Sequence, residues 1–89
     1  MEYKSPVDVL SYVVDWTNEI GGSTISTTVW VLQSGIVKDT DSNTTTTTTV
    51  KISSGTAGIV YQVQNKITTA AGETFEKLFF IRVREQLVG

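Results

Sequence analysis

The sequence predicts an all-β chain, an immunoglobulin- or fibronectin-III-like β-sandwich of about seven strands. Three observations lead there. Val, Ile and Thr fill 34 of the 89 positions, and side chains branched at Cβ suit a pleated surface better than a helix. Apolar residues alternate with polar ones in several runs, and the glycines mostly fall between those runs, where turns belong. The third observation is the stretch from Gly55 to Arg84, which reads as a loop, Tyr61 near the start of a long strand, a turn, and a second long strand. The last two strands of such a sandwich are laid out this way, with the tyrosine hydroxyl folding back onto the preceding loop. One domain is expected over residues 1–89, with its core at about 9–85.

Taken in order, the first segment holds a conflict. Ser5-Pro6-Val7-Asp8 has the form of a helix start, and Leu10, Val13 and Val14 continue at helical spacing. Tyr12, Val14 and Trp16 alternate with Val13 and Asp15, which is strand spacing, and the Val and aromatic content favours a strand over Leu10–Thr17 after an extended or single-turn lead-in. Asn18 to Ser23 is read as a loop bent at Gly21-Gly22. Ile25–Gln33 is the next strand, with Thr28, Trp30 and Leu32 on one face and Val29 and Val31 on the other. Two apolar faces imply a central position, or a partner over the second face. Ser34-Gly35 turns the chain into a short edge strand, Ile36-Val37-Lys38, and polar Asp39–Asn43 is read as a loop.

The threonine run runs directly into Val50-Lys51-Ile52. Threonine favours strands, so residues 44–53 form one strand with Thr46, Thr48, Val50 and Ile52 inward. Ser53–Gly58 is the crossover loop. Ile59–Thr69 follows, with Ile59, Tyr61, Val63, Asn65 and Ile67 on one face. Ala70–Glu73 is a tight turn. Thr74–Arg84 is the last strand, with Phe75, Lys77, Phe79, Ile81 and Val83 facing one way and Thr74, Glu76, Leu78, Phe80, Arg82 and Arg84 the other. Trp16, Trp30, Tyr61 and Phe79 are the expected large members of the core.

The chain holds no histidine and no cysteine. The usual general base, the commonest metal ligand and any thiolate site or disulfide are therefore missing. A net charge of −2 with only 18% charged residues gives no basic footprint for nucleic acid or anionic lipid. No apolar run approaches the ~20 residues of a membrane span, and the N-terminal residues lack the apolar block of a secretory leader. No cofactor is expected.

Candidate chemistry is sparse. Asp39, Asp41 and Asn43 imitate the opening of a calcium loop, but the Gly and the distal Glu of that motif are absent, and solvated acids are the expected reading. Asp15 has no second acid or base at a linkable spacing, so a surface position or a bond to a neighbouring amide is expected. Asn43-Thr44-Thr45 matches a glycosylation acceptor, as chance allows in threonine-rich sequence. Tyr61, Trp16 and Trp30 sit at strand spacing and read as core rather than as stacking platforms.

One feature points to a partner. If Phe79 faces inward, Leu78, Phe80 and the neighbouring Val60 face outward as an apolar strip bordered by Arg82 and Glu76. Such a strip suggests an interface formed by Val60, Leu78, Phe80 and Arg82. The alternative is that Leu87 and Val88, or Val7 and Val9, fold over it.

A succession of short patterns adds to this reading. They are Tyr12-x-x-Asp15-Trp16, Thr24-Ile25-Ser26-Thr27 before Trp30, Ser34-Gly35, Val50-x-Ile52, Ser54-Gly55-Thr56-Ala57-Gly58-x-x-Tyr61-x-Val63, Ile67-Thr68-Thr69-x-x-Gly72 and Phe79-x-Ile81-Arg82-Val83-Arg84. Together, over residues 4–85, they resemble small immunoglobulin-like proteins of tailed bacteriophages described as fibre-tail adaptors or minor virion structural proteins. The resemblance implies a non-enzymatic virion part, present in repeated copies, that joins or decorates tail, fibre or head components through edge-strand pairing and apolar patches. Leu78, Phe80 and Phe75 are more apolar than that family pattern, which points to a surface particular to this chain. A carbohydrate- or cell-surface-binding module using the Asn18–Ser23 and Asp39–Asn43 loops is the alternative; those loops lack the aromatics that stack on sugars.

Overall fold

The seven strands form two sheets. The computed structural model describes residues 2–85, and in chain order these give β1 (Glu2–Lys4), β2 (Leu10–Asp15), a helical turn α1 (Thr17–Ile20), β3 (Ile25–Leu32), β4 (Ile36–Asn43), β5 (Thr47–Ser54), β6 (Val60–Thr69) and β7 (Thr74–Val83). One sheet has the order β1-β7-β6-β3 and the other β2-β5-β4. All pairings are antiparallel except that of β1 with β7, which is parallel. The order matches an immunoglobulin-type sandwich with one difference. There the first strand lies beside the second; here β1 pairs with the last strand instead and leaves β2 at a sheet edge.

The predicted sandwich is borne out, and period-two alternation accounts for most of its core. Thr48, Val50 and Ile52 of β5, Tyr61, Val63, Asn65 and Ile67 of β6, and Ile81 and Val83 of β7 are all buried. Trp30 and Ile36 pack with Val50, Ile52, Tyr61, Val63, Ile81 and Val83 in one cluster, and a second one gathers Trp16, Ile20, Ile25 and Ile67. Trp16, Trp30 and Tyr61 are core as expected, while Phe79 is half-buried between Tyr12 and Trp30, with ring centroids 5.8 and 6.4 Å away.

Several elements differ from expectation. Residues 18–20, read as loop, belong to the helical turn α1, which buries Ile20 and ends at Gly21 in the left-handed conformation (φ 56°). Asp39–Asn43 is not a loop but the continuation of β4, irregular between Lys38 and Thr40 and hydrogen-bonded along β5. The partner strand supplies the order that this polar composition does not encode. The threonine strand starts at Thr47, because Thr44 turns the chain: its hydroxyl accepts from the Thr47 amide at 3.0 Å. Ile59 precedes β6 and is exposed rather than inward. β3 lies at the end of its sheet rather than at the centre, and both valines of its second face are exposed. Ser5–Asp8 closes a turn, in which the Asp8 carboxylate accepts from the Ser5 amide at 3.0 Å.

The expected tyrosine contact is present. Tyr61 Oη accepts from the Thr56 amide at 2.9 Å and fixes the loop before β6. The ring lies so close to Gly35 that a Cβ there would stand 2.7 Å from Tyr61 Cε1.

Candidate functional site: the outer face of the four-stranded sheet

Alternation along β7 decides this face. Because Phe79, Ile81 and Val83 turn toward the core, Leu78, Phe80 and Arg82 must turn away from it. Leu78 is 50% exposed, Phe80 44% and Val60 37%. The register places Leu78 opposite Gln64, Phe80 opposite Gln62 and Arg82 opposite Val60. The four residues singled out from the sequence therefore share one exposed surface.

The surface is wider than the sequence indicated. β1 sets Tyr3 beside Arg82, and β3 sets Val31 beside Gln64 and Val29 beside Lys66. Tyr3, Val29 and Val31 are each about half exposed. Apolar side chains thus line both margins of the sheet, with the glutamines of β6 between them. Polar contacts stiffen the rest: Gln64 Nε2 donates to Glu76, Gln33 and Gln62 exchange bonds through the Gln33 amide and its side-chain oxygen, and the Arg84 guanidinium stacks 4.1 Å from the Tyr3 ring centre. Val29 and Val31 carried a legible signal, an apolar second face on their strand. Tyr3 carried none, because its place depends on a pairing with a strand far along the chain.

Of the segments that could cover the strip, Val7 is 87% exposed and Val9 47%, so neither is spent on it. Leu87 and Val88 lie outside the described residues.

Several charged residues are bound into local structure. Asp15 Oδ1 accepts from the Thr17 hydroxyl at 2.6 Å and the Thr17 amide at 2.9 Å, and these bonds hold its pKa below the usual carboxylate value. Glu19 is lowered by Lys77, whose Nζ stands 2.7 Å away. Asp8 is lowered by its bonds to Ser5. Burial lowers the Lys4 pKa, partly offset by Asp8 and Asp39. Asp39 accepts from the Ser53 hydroxyl at 2.7 Å, and Asp41 pairs with Lys38 at 3.4 Å. Among the described residues, no three acidic side chains gather as a metal site would require. The arrangement offers an extended amphipathic contact surface rather than convergent reactive groups.

A family model described as podophage GP4 fiber-tail adaptor protein gp77 matches residues 4–82. No curated protein matches the chain.

Proposed function

The chain belongs to the podophage GP4 fiber-tail adaptor gp77 family, and we propose that it is a non-enzymatic structural module of the virion, joining tail and fibre components through protein contacts. The carrying observation is the exposed face of the four-stranded sheet, where Val60, Leu78, Phe80 and Arg82 are joined by Tyr3, Val29 and Val31. Burying half-exposed aliphatic and aromatic groups drives association at roughly 25 cal/mol per Å², and a rim of Arg82, Glu76 and Lys66 can fix orientation. The module acts as one unit in several copies, as virion parts do, without nucleic acid or membrane. The carbohydrate alternative loses one of its two loops, since Asp39–Asn43 is a strand.

Phe80→Asp tests the reading. The side chain lies outside the core, so the variant should keep its melting temperature within a few degrees. Its incorporation into particles assembled with the variant chain should be lost. Normal incorporation of a folded variant would remove this face from the assembly.

A further inference from the structure

The two sheets do not meet alike on their two sides. On one side β3 approaches β4. On the other, an open cleft of about 400 Å³ separates β2 from β7, lined by Tyr12, Val13, Val14, Asp15, Leu78 and Phe79 among others. Among the described residues, both strands show the cleft a free edge, as the hydrogen-bond alternation reveals. The Trp16 amide donates to Thr46 O, so even-numbered positions of β2 bond β5, and Ser11, Val13 and Asp15 turn their N–H and C=O groups away from it. Asp15 O accepts from Lys77 Nζ at 3.3 Å, as that direction requires. On β7, Gln62 bonds Gln33 on the far side of β6, which makes Gln62–Phe80 a non-bonded pair. Leu78 and Glu76 therefore also turn their main-chain groups outward. β1 covers only the Ile81–Val83 end of this edge.

We propose that the β2 edge is a strand-addition site, which takes an extended segment of a partner virion protein in the position that a first strand occupies in an immunoglobulin-type sandwich. This rests on the reading that the chain joins virion proteins, and it assigns a second surface, which meets the outer face at Leu78. The free amides and carbonyls of Ser11 and Val13 supply the ladder. Half-buried Tyr12, Val14 and Phe79 beneath them select apolar side chains at alternate positions. Glu2 and Asp15 both line the cleft, and Lys77, which lines it too, is already paired with Glu19 at 2.7 Å. The occupant is thus an extended apolar-alternating segment that carries basic residues.

The probe is a set of overlapping peptides tiling the tail and fibre proteins of the same phage, with amide exchange followed by NMR on the whole chain. A binding peptide should slow exchange at Ser11 and Val13, and this readout needs no variant. Val13→Pro removes a donor that bonds nothing within the sheet and places a ring on the edge; it should weaken that peptide about tenfold or more. The proposal is overturned if no peptide slows those two amides, or if a folded Val13→Pro chain binds as the wild type does. It is also overturned if the amides slow only as the chain itself is concentrated, which makes a second copy the occupant. Particle incorporation separates the two surfaces. Loss with Phe80→Asp but not Val13→Pro removes the edge and keeps the face, the converse removes the face and keeps the edge, and loss with neither removes both.

Discussion

Trp16 Nε1 donates to Asn65 Oδ1 at 3.0 Å, with both side chains fully buried. The bond joins the end of β2 to the middle of β6, and so ties one sheet to the other. It belongs to a closed network. Trp16 Nε1 also reaches Thr48 Oγ1 at 3.1 Å, Thr48 donates to Asn65 Oδ1, and Asn65 Nδ2 donates to Thr28 Oγ1 at 2.9 Å and Val29 O at 3.1 Å. A satisfied buried network of this kind specifies one alignment of the layers, because any slip leaves polar atoms without partners.

The two tryptophans should therefore respond differently to the same change. Trp30 Nε1 is buried with no partner among the described residues, so Trp30→Phe removes volume and an orphaned donor together. Trp16→Phe removes two hydrogen bonds at the heart of the network. Urea denaturation should show Trp16→Phe to be the more destabilising by about 1–3 kcal/mol. Equal losses would mean that the network adds nothing beyond packing.

Gly35 should be far less replaceable than Gly21. Gly35 has φ 112° and its missing Cβ faces the Tyr61 ring at 2.7 Å, whereas Gly21 has φ 56° and open space around it. Gly21→Ala should cost about 1 kcal/mol, as a left-handed residue does. Gly35→Ala adds a clash with a buried ring whose hydroxyl holds Thr56, and should lower stability by about 3 kcal/mol or more.

Alkaline stability should follow Tyr12. Burial, with Glu2 and Asp8 adding to it, pushes its pKa up to about 12 from 10.0. An acid whose folded pKa is raised stays protonated while the unfolded chain ionises. The stability linked to this group is thus complete below about pH 10 and falls as the pH climbs toward about 12. Tyr12→Phe should flatten that fall in melting temperature measured across the same window. An unchanged slope would place its origin elsewhere.

Much of this was legible locally. The inward set of Thr48, Val50 and Ile52 and the outward set of Leu78 and Phe80 follow from alternation, because one buried face fixes the other. Tyr61 announced its corner through the loop before it. What stayed hidden was set by partners at a distance. Asp39–Asn43 is polar enough to pass for a loop, and only β5 makes it a strand. The helical turn at Thr17–Ile20 is too short to show a period. Val29 and Val31 mimicked a central strand, since local sequence does not say which strands flank β3. The place of Tyr3 and the free edge of β2 both follow from β1 pairing with β7, a choice between two sheets that three residues cannot encode.

Under the proposed function the molecule works by contact through the outer face of its four-stranded sheet. Electron cryomicroscopy of the purified virion tests it most directly. The chain should appear in several copies between tail and fibre, with Leu78 and Phe80 packed against a neighbouring protein. Copies whose Leu78 and Phe80 face open solvent, or particles that lack the chain altogether, would contradict the claim.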